Sequence, residues 1–397
     1  MSRITIIGCG VVGAAIAYEL SLIPGLSIAV LDKQPPAQGA TSAALGVLMG
    51  IISHKIKGKA WQLRQTSLQR YETLIPELEA NTNRQILYNR QGILMLVPSI
   101  ADWEKLVEIR QSQGWHLEIW DIEQVKSKCP QLNLENTTAA IYSPQDRQLD
   151  PSALTLALVE AAGRNGVKFQ FGVTVEGVTS CLLSPTLKGG ATQTKTACAV
   201  YNNIGGNQSE FNITSTNGGI CHQIETSNGK IETDWIVIAA GLGSTPITAS
   251  LAQKVDIQPV LGQALHLRLE KPLGNPYFQP VITSDDIHIV PVGEQEYWVG
   301  ATVEFPTDAG EAIADPSLLD KVMLGAIAFC PPLSQATIKR TWSGLRPRPQ
   351  GYPAPIIGQL PGYNNILLAT GHYRNGVLLA PATAIAIRDA ILAKSAV

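Results

Sequence analysis

Residues 3–32 read RITIIGCGVVGAAIAYELSLIPGLSIAVLD, and the order of glycines, apolar residues and one acid in that stretch decides the fold. Arg3 to Ile7 suits a short buried strand. Gly8-Cys9-Gly10-Val11-Val12-Gly13 follows at once and opens an apolar-periodic helix reaching Leu22. Ser27 to Leu31 is a second apolar, partly β-branched strand, and Asp32 stands at its end, 19 residues after Gly13 (32 − 13). In G-x-G-x-x-G between a strand and a helix, the first glycine makes the turn and the second admits a pyrophosphate to the backbone. The third lets helix and strand pack closely. An acid at the end of the second strand binds a ribose hydroxyl pair. The stretch predicts a Rossmann-like α/β domain with Gly8, Gly10, Val11, Val12, Gly13, Asp32 and its neighbour Lys33 against a dinucleotide. The competing reading is an ordinary glycine loop, and the register of strand, helix, strand and acid argues against it.

Further along, the chain does not continue the strand–helix alternation that an NAD domain needs for its second half. Gly39 to Gly50 instead supplies small side chains and two hydroxyls, followed by an amphipathic stretch from Lys59 to Ala80. Thr41, Ser42, Ala44, Gly46, Val47 and Leu48 fit a segment that wraps a pyrophosphate and passes under a flavin ring, which favours FAD; a loop packed on the sheet is the plainer alternative. At the other end, Gly371-His372-Tyr373-Arg374-Asn375-Gly376 makes a tight turn before an apolar helix, whose first N–H groups at Asn375, Gly376, Val377 and Leu378 suit negative charge. Twenty-eight residues earlier (374 − 346), Trp342-Ser343-Gly344-Leu345-Arg346-Pro347 presents a second constrained arginine. Arg346 and Arg374 suggest a carboxylate clamp, since a guanidinium binds carboxylate through two parallel hydrogen bonds. His372 and Tyr373 are equally open to packing and to substrate contact.

Taken together these motifs resemble the FAD-dependent D-amino acid oxidase superfamily, most closely its bacterial glycine oxidase branch. Besides the fingerprint and the two arginine motifs, the resemblance rests on Thr41 to Gly46, Asp150-Pro151, Ile236 to Gly241, His288-Ile289-Val290-Pro291 and Gly300 to Glu304. It implies an FAD domain interleaved with an antiparallel-sheet substrate domain, Val175 and Gly241 as further FAD contacts, and Arg346 as the main carboxylate ligand. Arg374 would be a second electrostatic contributor to flavin and substrate. The implied reaction oxidises glycine, sarcosine or a small D-amino acid to its imine, with O2 accepting the electrons as H2O2; the imine of glycine would feed thiamine thiazole assembly. Relatives of the same fold that pass electrons to a carrier, and a flavoprotein without turnover, are the alternatives. One position departs from the branch: glycine oxidases carry tyrosine just before Ile-Val-Pro, and commonly a basic residue after it, where this chain has His288 and Val292. A histidine is shorter and ordinarily titrates near neutrality, so it is either a donor to the substrate carboxylate or a core histidine.

The rest of the chain sets limits. With 397 residues, 45% of them hydrophobic and 16% charged, it holds two domains and a sizeable core. A net charge of −2 and an isoelectric point near 6.3 leave no basic footprint for nucleic acid. Its apolar runs are expected to break before the length of a membrane span, and the opening strand leaves no room for a leader, which predicts a cytoplasmic protein. Six scattered cysteines without CxxC spacing read as free thiols, no Cys/His cluster suggests a metal, and the absence of cysteine from residue 331 onward implies non-covalent FAD. The expected partners are a small amine or amino acid and O2; self-association into a homo-oligomer is left open. The expected division is 1–85, 140–256 and 342–397 for the FAD domain, and 86–139 with 257–341 for the substrate domain. A polar Gly/Asn/Ser-rich stretch from Ser184 to Lys230 is expected to form hairpin loops and is assigned no function.

Overall fold

The computed structural model describes residues 2–182, 220–307 and 310–395. Its centre is a six-stranded sheet in the order Ile356–Gln359, Ile366–Thr370, Trp235–Ile238, Ser2–Ile7, Leu26–Asp32, Lys168–Phe171. All neighbours are parallel except Ile356–Gln359, which runs antiparallel on the edge. Both faces are covered, and the strands alternate accordingly. Ile4, Ile6, Val30, Val237 and Leu367 point into one core, under the helices Val11–Ser21, Gly58–Thr82, Pro151–Arg164 and Gly376–Ser395. Ile7, Leu31, Ile236, Ile238 and Leu368 point into the other, which also takes Val178 and Ile224 from a three-stranded meander, Val175–Leu182, Ile220–Thr226 and Gly229–Thr233. Burial on both faces is what allows near-continuous apolar strands in a parallel sheet.

The second sheet has eight strands in the order Thr337–Pro349, Ile257–Arg268, Glu296–Gly300, Ile287–Pro291, Val281–Ser284, Ile93–Val97, Ala139–Ser143, Glu118–Trp120. Only Val281–Ser284 and Ile93–Val97 pair in parallel. One face packs Leu265, Leu267, Ile289 and Val299 against the helix Pro316–Phe329, whose start is capped by Asp315 accepting from the Ser317 N–H. The helices after Asp150 and Asp315 both begin with an Asp cap and a first-turn proline.

Three expectations need correction. The expected divisions at 139/140 and 341/342 fall inside strands: Ala139–Ser143 pairs with Ile93–Val97, and Thr337–Pro349 pairs with Ile257–Arg268 from Arg268↔Thr337 to Ile257↔Pro349. Pairing partners far apart in sequence set those edges, and no local residue marks them. Second, Tyr373–Lys394, 22 residues, is long and apolar enough to cross a bilayer by length and composition, with mean hydropathy 1.6 over an 18-residue window, contrary to the expected breaks. Its helix is built into the core, with Leu378, Leu379, Ala380, Ala384, Ile387 and Ile391 buried. Third, Ile220–Thr226 of the stretch expected to be loops is a strand of the meander; residues 183–219 lie outside the described residues.

Candidate active site

A cavity of about 1050 Å3 lies at the carboxyl ends of four parallel strands, at Gly8, Asp32, Ala239 and Gly371, and takes its opposite wall from Gly262, Ala264, His288, Ala301 and Arg346. Ligands of open α/β sheets bind in this position. Small residues make the room. On the second sheet Gly262 faces Gly344 and Ala264 faces Gly300 across the strand pairs, leaving little side-chain bulk on the cavity side.

At the dinucleotide end, Gly8 has φ +105°, and a Cβ there would lie 2.5 Å from the Ala239 carbonyl oxygen. Gly10 caps the helix Val11–Ser21 without a side-chain hydrogen bond, so the N–H groups of its first turn face the cavity. Thr41 Oγ1 accepts the Val11 N–H at 3.0 Å. Asp32 accepts the Cys9 N–H at 2.6 Å and the Gln34 N–H at 2.9 Å, which fixes its carboxylate at the cavity edge beside Lys33 with lone pairs left over. Val175 and Gly241 line the same end. Ser42, Ala44, Gly46 and Val47 line the middle; Gly46 has φ +73° and a Cβ would lie 1.7 Å from the Leu149 carbonyl oxygen. Trp342 Nε1 donates to the Ala43 carbonyl at 3.1 Å and ties this segment to the second sheet. Three expected cofactor contacts do not line the cavity. Leu48 and Leu378 are core residues, and Gly13 serves packing, its Cβ position being 1.9 Å from the Gly8 carbonyl oxygen.

At the far end the five expected catalytic side chains, Arg346, Arg374, His288, Tyr373 and His372, all line the cavity, but they are not alike. Arg346 projects from Thr337–Pro349 across Gly262, donating from its two terminal nitrogens to the carbonyls of Leu261 and Thr302, each at 3.0 Å. Among the described residues it makes no ion pair, and burial with the nearby Arg374 charge holds its pKa below the ordinary guanidinium value. Arg374 pairs with Asp286 at 3.2 and 3.3 Å, and the pair is solvent-exposed on the Asp286 side, so much of its charge is answered within the protein. Tyr373 has φ +52° at the turn entering a 3-10 segment, Tyr373–Asn375, and the helix begins only at Gly376. Asn375, Gly376 and Val377 line the cavity at that helix start.

The two histidines differ from the ordinary imidazole in the same direction. His288 Nδ1 is sealed from solvent and has no hydrogen-bond partner among the described residues, while the ring borders the cavity. Burial, with Arg374 and Arg346 close by, lowers its pKa to about 4, so the ring is neutral at ordinary pH rather than titrating near neutrality. His372 is a core histidine, 3% exposed, with Nε2 at 3.0 Å from Thr383 Oγ1, which decides between packing and substrate contact in favour of packing. Burial lowers its pKa from 6.5 to about 4. In the unfolded chain the ring binds its proton near 6.5, before the folded ring does. Its neutral state therefore supports stability fully above pH 6.5, and that support is lost as pH falls through the interval from 6.5 to about 4. Thermal melts across this interval should show a shallower fall for His372→Gln than for the wild type; equal slopes would mean that protonating the buried ring carries no penalty.

Three charged residues escaped the sequence reading. Arg64 sits on the buried stripe Trp61, Arg64, Leu68, Tyr71, Ile75, Leu78 of the helix Gly58–Thr82, and lines the cavity. Asp146, fully buried, accepts the N–H groups of Gly50, Ile51 and Ile52 at 2.7–2.9 Å. Arg110, also fully buried, donates to the carbonyls of Ile51, Ser53 and Lys55 and lies over the Trp61 ring at 3.8 Å. Asp146 and Arg110 thus hold the segment 50–55 from its two polar sides, and Ile52, Ser53 and His54 of that segment form cavity wall. The available signal was a charge in an otherwise apolar helical stripe, at 64 among 61, 68 and 71 and at 110 beside Leu106.

Comparison with known proteins agrees with this geometry. The family model described as DAO, FAD dependent oxidoreductase, matches residues 3–390. A bifunctional ThiO/ThiG protein of a Synechocystis species is 30% identical over 401 residues, covering 98% of this chain and 52% of that protein. This chain thus spans about half the length of such relatives. A glycine oxidase of Geobacillus kaustophilus is 25% identical, with 98% of this chain and 92% of that protein covered. The crystal structure of glycine oxidase from Geobacillus kaustophilus superposes with a TM-score of 0.80 at 23% identity, covering 99% and 95% of the two chains, a likeness of fold.

Proposed function

This chain belongs to the DAO family of FAD-dependent oxidoreductases, and from that premise we propose that it oxidises a small amino acid, glycine, sarcosine or a D-amino acid, to its imine. The cavity suits the cofactor. Gly8 and Gly10 leave no side chain between the Val11–Ser21 helix start and a pyrophosphate, Asp32 has lone pairs for ribose hydroxyls, and Gly46, Gly344 and Gly262, all lining the cavity, let neighbouring atoms of Leu149, Ala43 and Arg346 pack closely. The residues that would hold FAD are Gly8, Gly10, Val11, Asp32, Thr41, Ser42 and Gly241, with the helix start at Gly376 supplying positive potential. The chemistry FAD supplies when bound is acceptance of a hydride from the substrate α-carbon, its electron pair passing on to O2 as H2O2 or to a carrier.

The chain's own residues bind and orient. A substrate carboxylate meets Arg346, whose guanidinium retains N–H groups beyond the two given to carbonyls. Neutral His288 offers Nδ1 from the strand Ile287–Pro291, three places along the same sheet, and the backbone positions of both are fixed by sheet pairing. An amine that arrives neutral needs no base: the α-hydrogen leaves with its electron pair, the amine proton is released, and a C=N bond remains for water to hydrolyse after release. For glycine the imine would suit assembly of the thiamine thiazole. The observation that carries this reading is Arg346, a partly buried cation facing the cavity without a carboxylate partner among the described residues. The test is anaerobic addition of glycine, sarcosine and D-alanine to the flavin-loaded protein, followed by air. Bleaching of the flavin band by one of them, with recovery and peroxide on aeration, is expected; a band that no amine bleaches sinks the reading.

A further inference from the structure

Arg64 marks a second anion site in the same cavity, and we propose that the preferred substrate is an amine carrying two carboxylates, one bound by Arg346 and the other by Arg64. The inference rests on the amino-acid reading above and names its substrate class more narrowly.

The helix Gly58–Thr82 buries an apolar stripe, and at position 64 that stripe carries an arginine. Its side chain is enclosed, the residue being 8% exposed. One terminal nitrogen donates to the Ala60 carbonyl one turn back at 2.8 Å, while Nε is buried with no hydrogen-bond partner among the described residues. Among the same residues Arg64 makes no ion pair. Nearby charges do not answer it. The carboxylate that acts on it is Asp146, and both Asp146 oxygens already accept backbone N–H groups. Arg110 adds a second positive charge, its donors directed to three carbonyls of the segment 51–55 and to Gln113. Two guanidiniums and one carboxylate leave a net positive charge beside an enclosed space.

A buried charge is costly unless an opposite charge meets it, and leaving a cation in this state in the free protein is the arrangement of a site that waits for an anion. The surroundings define what kind of anion. Met49, Met95 and Trp103 supply apolar wall to the cavity that Arg64 lines, so a small organic acid fits better than a heavily hydrated inorganic ion. Arg346 lines the same cavity from the opposite sheet, so one molecule would carry both anions, on the two sides of its amine or on its side chain. The reaction at the α-carbon is unchanged: one hydride and one amine proton leave, and C=N forms. The second carboxylate adds orientation, which matters most where the reacting carbon must be held at one distance.

The test uses the flavin-loaded protein with unreactive ligands first. Malonate, succinate and glutarate are titrated against acetate and propionate, read by the flavin absorbance and by thermal shift. At least one diacid should bind about tenfold more tightly than the monoacids. Arg64→Gln should remove most of that advantage while leaving acetate binding within about twofold, and Arg64→Lys, which keeps the charge, should retain part of it. Turnover follows with N-(carboxymethyl)glycine, D-aspartate and D-glutamate against glycine, sarcosine and D-alanine, where kcat/KM should favour a diacid in the wild type only. Diacids that bind no better than monoacids overturn the proposal, and the wild type alone decides this if a variant fails to hold flavin. A diacid preference that survives in Arg64→Gln overturns it equally. If no amine of either kind reduces the flavin, amine oxidation fails, whereas a diacid preference lost in Arg64→Gln still supports the anion site.

Discussion

Arg346→Met in the flavin-loaded protein should lower kcat/KM for its amine substrate by about a hundredfold to ten-thousandfold, with the flavin spectrum retained. The size follows from two charge-assisted hydrogen bonds to the substrate carboxylate, each worth about 1.5–3 kcal/mol in a partly dry site. Most of the loss should fall in kcat/KM, because the anchor acts before the α-carbon can be placed. Methionine approximates the stem volume, and of the two carbonyls it abandons, at Leu261 and Thr302, that of Leu261 still accepts the Glu304 N–H at 2.9 Å. A companion variant leaves the arginine in place. At Gly262 an added Cβ would fall 2.2 Å from an Arg346 terminal nitrogen, so Gly262→Ala has to push the guanidinium aside. The obstructing atoms are the far end of a flexible side chain, so stability should change little while KM rises. A decrease of less than about threefold in Arg346→Met would place the carboxylate elsewhere, and Arg64 would then be the first candidate.

Gly13→Ala should be the most damaging single methyl group in the chain's cofactor half. The added carbon would lie 1.9 Å from the Gly8 carbonyl oxygen and 3.5 Å from Ala239 Cβ. The obstructing atoms are Gly8 backbone, which cannot yield as a flexible side chain would, so the helix Val11–Ser21 must move off the strand Ser2–Ile7. Overpacking of this kind typically costs about 1–3 kcal/mol, and a backbone-to-backbone clash belongs at the upper end or beyond. The same shift withdraws the helix start from the dinucleotide end, so FAD affinity should fall by about a hundredfold, read by quenching of flavin fluorescence on titration into apoprotein. The control is Gly163, a helical glycine whose Cβ would meet only a Phe169 ring carbon at 4.0 Å. Gly163→Ala should raise stability by about 0.5–1 kcal/mol and leave FAD binding alone. If Gly13→Ala binds FAD as tightly as Gly163→Ala, close helix–strand contact is not what positions the cofactor end.

The dinucleotide half was legible because its chemistry is local: strand, glycine turn, helix and acid follow one another within residues 3–32, and each glycine there answers a contact with nearby backbone or an uncovered helix start. The arginines at 346 and 374 were legible for a similar reason, since each lies in its own short constrained motif. What each arginine does was not. Arg374 finds Asp286 through a tertiary contact, and Arg346 is directed across Gly262 to two backbone carbonyls, with no ion pair among the described residues. His288 and His372 read alike as scattered histidines until burial, a free Nδ1 and a threonine hydroxyl separated them. Arg64, Arg110 and Asp146 come from a helix, another helix and a loop between strands, and they act together only because the fold closes those elements around residues 50–55. The sequence by itself therefore determined the fold class and the cofactor, and placed the two arginines in recognisable contiguous motifs. The tertiary structure alone decided which charges stay unanswered, because pairing and burial depend on neighbours that the chain brings together from far apart.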